Sequence, residues 1–161
     1  MTLPPDFKII DSSKNASLNA KGRKAMEDAN DINVDVSTTR TLISAMKAPL
    51  NYFSSTITPF DPKKDGNYSA ANKKVKDVIY KTFLEKIPNG QMDTSSTSIT
   101  IDGLGFDKFQ VAETLNGKTL FHIVLLSKYY KGYDFGISYL YMDDTTREQV
   151  ETILRTCKFS K

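Results

Sequence analysis

The stretch Lys118-Thr119-Leu120-Phe121-His122-Ile123-Val124-Leu125-Leu126-Ser127-Lys128-Tyr129 decides the fold class. Phe121, Ile123 and Leu125 lie on one face of an extended chain, and Leu120, Val124 and Leu126 lie on the other. A strand that is apolar on both faces belongs in the middle of a sheet with something covering each side. Just before it, Asn116-Gly117 is the preferred pair for a type I′ hairpin turn, whose two central residues need positive φ. Upstream of that turn, Gly105 to Leu115 places Phe109, Val111 and Leu115 on one face, and Thr97 to Asp102 places Ile99 and Ile101 together. Downstream, Tyr133, Phe135, Ile137, Tyr139 and Tyr141 alternate with Asp134, Gly136 and Ser138. Four antiparallel strands in succession follow from this reading.

Helical patterns flank the four strands. Val75, Val78, Ile79, Thr82 and Phe83 fall at i, i+3, i+4, i+7 and i+8, the stripe of a helix lying on a core, with Ser69 as its expected N-cap and Pro88-Asn89-Gly90 as its stop. After the last strand, Thr145-Thr146-Arg147-Glu148 fits a capping box, and Val150, Ile153, Leu154 and Cys157 form a second stripe. Lys158 and Phe159 are expected to pack back on the domain.

The first part of the chain has a weaker pattern. Phe7 to Asp11 reads as a short strand, and residues 12–31 as a polar segment with at most a short helix around Ala25, Met26 and Ala29, since Gly22 interrupts it. Ile32-Asn33-Val34-Asp35-Val36 alternates like a half-buried strand. Thr41 to Met46 fits strand or helix and ends by Pro49, whereas Asn51 to Ile57 reads as extended. Nothing divides the chain, so residues 1–161 are expected to form a single α+β domain: an antiparallel sheet covered by two main helices.

Composition bounds the chemistry. The 161 residues are 39% hydrophobic, 25% charged and 11% aromatic, the values of a globular domain. The net charge of +3 is too mild to argue for nucleic acid. One cysteine excludes an intramolecular disulfide and a multi-thiolate zinc site, and one histidine excludes a two-histidine metal site within the chain. No apolar run reaches the ~20 residues that span a bilayer. The opening Met1-Thr2-Leu3-Pro4-Pro5-Asp6 shows no signal peptide, though a start just after a removed leader fits equally well. The residues leave the compartment open, and an extracytoplasmic location, its leader removed, is slightly favoured only by the family resemblance described next.

From Gly103-Leu104-Gly105-Phe106, through the hairpin at Asn116-Gly117 and the long strands to Tyr141, to the closing helix and Cys157-Lys158-Phe159, the pattern resembles the fold shared by PsbP, the DcrB-like bacterial proteins and the Ran-binding import factors. The likeness covers roughly residues 69–160, and a cystatin-like or nuclear-transport-factor-like sheet reads much the same way. It implies a PsbP-like sandwich and, because family members are mostly non-catalytic binding or assembly proteins, it leans away from an enzyme. Fold alone does not fix function.

The candidate chemistries each have a plainer reading. His122 could be a base for Ser127, Ser138 or Cys157, but it sits mid-strand among apolar residues with no nucleophile elbow nearby. Cys157 lies in line with an apolar stripe and reads as a small buried hydrophobe. Asp61 to Asn67 carries a glycine where a calcium loop would, yet position 3 is Lys63 and position 12 is Asn72. Asp143-Asp144 precedes a helix, where carboxylates favour the positive end of the dipole. Lys73, Lys74, Lys76 and Lys81 read as a solvated helix face, and no cofactor is implied.

Tyr129-Tyr130-Lys131-Gly132-Tyr133 stands out, at the tip between two long strands. Tyrosine offers rigid apolar area with a polar end, which suits binding surfaces. Tyr129, Tyr130, Lys131 and Tyr133 are therefore the candidate partner- or ligand-binding residues. The expectation is a non-catalytic binding or assembly module for a protein partner. The alternative is a small-ligand binder with a pocket between sheet and helix.

Overall fold

The two-faced strand predicted over 118–129 runs from Lys118 to Tyr130 in the structure, a computed structural model that describes residues 2–159. In chain order the elements are β1 (Lys8–Ile9), α1 (Ser12–Asn30), β2 (Arg40–Ala48), β3 (Asn51–Pro59), α2 (Pro62–Asp65), α3 (Tyr68–Lys86), β4 (Gln91–Ile101), β5 (Leu104–Leu115), β6 (Lys118–Tyr130), β7 (Tyr133–Tyr141) and α4 (Asp144–Thr156). Among the described residues the strands form a 7-stranded antiparallel sheet in the order β1-β2-β3-β7-β6-β5-β4. The class is α+β, as the sequence predicts. Asn116 (φ 52°) and Gly117 (φ 74°) make the expected turn between β5 and β6.

Both faces of β6 are covered. On one side Val124 and Leu126 join Phe53, Phe106, Ile137 and Tyr139 beneath Val150, Ile153 and Leu154 of α4 and Cys157 just after it. On the other, Phe121 and Ile123 join Phe109 and Val111 beneath Phe83 and Ile87 at the end of α3. The Phe83 and Phe121 rings lie 5.7 Å apart. The closing segment folds back as predicted. Phe159 packs on Phe106 and Phe135, and its N–H donates to Asp102 Oδ2 over 2.8 Å.

The N-terminal half departs from the sequence reading. Residues 12–30 are one helix of 19 residues that runs through Gly22. Asp11 caps it, accepting from Lys14 N over 2.8 Å. Its docking explains why no apolar stripe announces it. Asn15, one of its two buried residues, donates to Thr41 Oγ1 over 3.1 Å and accepts from Ser44 Oγ over 2.8 Å, while Ser44 bonds onward to Ser54 and Tyr52. Polar groups thus replace apolar ones beneath α1, and three main helices cover the sheet where two were expected. Residues 32–36 are not a strand. Glu27 accepts from Val34 N and Asp35 from Ser37 N, so side chains hold this backbone in a turn instead of a ladder. Thr41 to Met46 is strand β2.

Caps and ends shift by small steps. Asn67, rather than Ser69, caps α3 by accepting from Ala70 N. Asp143 caps α4 by accepting from Thr146 N over 2.7 Å, the helix-start role expected of Asp143-Asp144, and displaces Thr145 from the head of the capping box. Both corrections arise because Asn and Asp caps compete with a nearby Ser or Thr. Val75 is exposed, since α1 meets α3 further along, where Asn30 bonds Val78 O and Thr82 Oγ1. Strand β4 begins at Gln91, six residues before the predicted Thr97, because the Thr94-Ser95-Ser96 run pairs with β5 while staying solvated on both faces.

Candidate functional site

The β6–β7 hairpin gathers the tyrosines but divides them. Lys131 (φ 50°) and Gly132 (φ 83°) form its two-residue turn, a backbone that favours glycine at the second position. Side chains alternate in a strand, so the pair Tyr129–Asp134 faces α3 and the pair Tyr130–Tyr133 faces the α4 side of the sheet.

Tyr129 is a building block of the tip. Its ring lies 5.7 Å from Phe60 and 5.7 Å from Tyr68, and Phe60 meets Tyr68 edge-on at 5.2 Å. Tyr68 donates its hydroxyl proton to Asp134 Oδ1 over 2.7 Å. Burial, then this bond, pushes the Tyr68 phenol well above its ordinary range, and burial raises the Asp134 carboxyl against the lowering effect of the same bond. Phe60 N donates to Gly132 O over 2.9 Å, tying the loop after β3 to the turn. Phe60, Tyr68 and Asp134 carry the tip and were not singled out in the sequence. Phe60 sits between Pro59 and Pro62 in what reads only as loop, so no periodicity points to it.

Tyr130 and Tyr133 are arranged differently. They lie opposite each other across the hairpin, with Pro59 of β3 paired next to Tyr133. Tyr133 is 42% exposed, close to the 39% of Tyr129, Tyr130 is half-buried, and Lys131 Nζ stands 5.1 Å from the Tyr130 ring centroid. The result is a pair of phenol rings and an ammonium group on a fixed turn.

The other candidates resolve into structural roles or stay apart. His122 stacks on Tyr141 at 4.7 Å with its Nδ1 buried and without a hydrogen-bond partner among the described residues, and burial holds its pKa below the usual value against the opposing charge of Asp144. Ser127 and Ser138 lie on the opposite face of the sheet from it. Cys157 is buried at the far end of α4, roughly 20 Å along a 13-residue helix. No nucleophile therefore meets this base among the described residues. Asp61 Oδ1 accepts from Lys63 N and Asp65 Oδ2 from Asp61 N, so the calcium-like loop caps the single turn α2. Among the described residues no group of three or more His, Cys, Asp or Glu side chains gathers for a metal. Lys73 pairs with Asp77 at 2.8 Å, and Lys76 stands over Phe109. No helix of the described residues is long and apolar enough to cross a membrane.

Clefts run where helices meet the sheet. One of about 490 Å³ beside α1 is lined mainly by Leu18, Met46, Leu50, Tyr52 and Leu140. Another of about 460 Å³ lies between α4 and the β4–β5 hairpin. Its polar residues, Lys108 and Arg155 among them, carry no sequence motif and come together only through the packing of α4.

The architecture has a counterpart among solved structures. The solution structure of cyanobacterial PsbP (CyanoP) from Synechocystis sp. PCC 6803 matches over 78% of this chain and 75% of that chain, with a TM-score of 0.50 and 11% sequence identity. The crystal structure of LpqN, involved in cell envelope biogenesis of Mycobacterium tuberculosis, matches over 95% of this chain and 76% of that chain, with a TM-score of 0.35 and 16% identity. The likeness to PsbP is one of fold, and it agrees with the PsbP-like sandwich read from residues 69–160. No protein-family model matches the chain, and no curated protein sequence matches it.

Proposed function

We propose that this chain is a non-catalytic binding module that holds a protein partner at the β6–β7 hairpin. The observation that carries the reading is the split of the tyrosines. Tyr129 rests against Phe60 and Tyr68 on one face, and that packing stiffens the turn, whereas Tyr130 and Tyr133 pair on the other face with Lys131 over one ring, so that exposed Tyr129 and Tyr133 flank a half-buried Tyr130. A rigid pair of aromatic rings loses little entropy on binding, and tyrosine is enriched at interfaces for that reason. Lys131, with Lys128 two residues before Tyr130, favours a partner surface that carries carboxylates beside its apolar contact.

A pull-down from host lysate with the wild-type chain and with Tyr130→Ala/Tyr133→Ala tests the reading. One abundant protein retained by the wild type and lost by the folded double variant supports it. A partner retained equally by both removes the surface from the hairpin, and the absence of any enriched protein removes the protein-binding reading itself.

A further inference from the structure

The cleft between α4 and the β4–β5 hairpin has unused binding capacity. Its floor is apolar, built from Ile99 and Ile101 of β4 and Leu154 of α4. Tyr139 lies in the same lining, only 3% exposed, and its phenol makes no hydrogen bond to any other described residue. The ring is buried but the oxygen is not sealed off, so the hydroxyl is a donor open to the cleft.

The charges around the cleft divide by sign. The acidic groups are engaged within the fold. Asp102 accepts from Lys158 Nζ at 2.9 Å and from Phe159 N at 2.8 Å, and Glu151 lies 3.8 Å from Arg147 Nη1. The basic groups are not so engaged. Lys108 and Arg155 have no carboxylate within 4.0 Å among the described residues, and Arg155 bonds only the neighbouring Thr152 hydroxyl. Two cations and a phenol donor therefore border one apolar floor, within a volume of about 460 Å³. Ligand sites combine these features: an apolar lining, a few convergent polar groups, and some 300–1,000 Å³ of space.

We propose that this cleft binds a small organic anion with an apolar body, its carboxylate held between Lys108 and Arg155 and its body on Ile99, Ile101 and Leu154. The phenol of Tyr139 donates to the anion, and since burial keeps that phenol protonated it remains a donor throughout the physiological range. Glu151 works against the ligand and sets a sign that can be read. The site shares no residue with Tyr130, Lys131 or Tyr133, so it stands or falls independently of the hairpin.

The test is calorimetric titration of the full chain with 2-naphthoate, and with naphthalene-2-methanol as the uncharged comparison. Saturable binding of the anion is expected, with the alcohol at least tenfold weaker. Arg155→Gln and Lys108→Gln each weaken naphthoate binding by roughly tenfold, as expected for loss of a hydrogen bond to a charged group. Tyr139→Phe, which keeps the ring in the core, weakens it several-fold, and Glu151→Gln strengthens it. Lys63→Gln on the distant turn α2 leaves it unchanged. Absence of binding, equal binding of the alcohol, or indifference to both Arg155→Gln and Lys108→Gln overturns the proposal. A circular dichroism melt of each variant separates a lost ligand from a lost fold.

Discussion

The carboxyl of Glu113 on β5 lies against the α-carbon of Gly90, in space that a β-carbon at position 90 would occupy. Glu113 is wholly buried, and neither of its oxygens has a hydrogen-bond partner among the described residues. Gly90 closes the turn after α3, so the missing side chain there makes room for a carboxyl that the sheet register directs inward beside Met92 and Phe121.

Burial raises the Glu113 pKa above its ordinary value of 4.5, and no charge opposes it. The folded state then holds the proton more tightly than the unfolded chain. The stability this supplies is complete below the unfolded value and is lost as pH rises through the raised folded value. Glu113→Gln removes the titration. Urea midpoints of the two proteins are expected to differ least near pH 4.5 and to separate in the variant's favour toward about pH 8. Asp6, Asp11, Asp35 and Asp143 shift the other way, but they are common to both proteins and cancel in the difference. A gap that is constant with pH would contradict this account.

Gly90→Ala places a methyl group against Glu113 Oε1 and near Ile87. We expect a loss of about 1–3 kcal/mol, the usual range for overpacking. Combining it with Glu113→Ala opens the space and should recover part of the loss relative to additivity, which a double-mutant cycle by urea denaturation measures.

Ile153→Ala truncates a side chain with no exposed surface in the core under α4 and should cost about 2–5 kcal/mol. Val75→Ala, half exposed on α3, should stay within about 0.5 kcal/mol. Equal costs by thermal or urea denaturation would show that the stripe read from the sequence, and not the packing of α1 and α3, decides which residues are buried.

Asn15→Ala removes the group that joins α1 to Thr41 and Ser44. Much of α1 is exposed, so its amides are expected to exchange faster by roughly tenfold, while exchange in β5 and β6 changes little. Hydrogen exchange read by mass spectrometry distinguishes this local release from a uniform loss of stability.

Asp143→Ala removes the cap of α4 and should cost about 1 kcal/mol, or a fall in Tm of roughly 2–4 °C at this size. Thr145→Ala is expected to cost less, since Thr145 is exposed and Asp143 supplies the capping bond.

Much of the fold was legible where local pattern and burial agree. Apolar alternation from 97 to 141, Asn116-Gly117 and the stripe from Val150 to Cys157 determined four strands, a hairpin and the last helix, because periods of two and of 3.6 follow from backbone geometry alone. The single histidine and single cysteine likewise excluded whole classes of metal and disulfide chemistry by count. Tertiary structure decided the rest. It docked α1 through Asn15 and Ser44, which hydrophobic periodicity cannot report. It also set Tyr129 against Phe60 and Tyr68 on one face of the hairpin and paired Tyr130 with Tyr133 on the other, and brought Lys108 of β5 to the same cleft as Arg155 of α4. These relationships join residues far apart in the chain through hydrogen bonds, ring contacts and a shared cleft. Such contacts depend on distance and desolvation in space, and neither is written in the spacing of residues along a strand or helix.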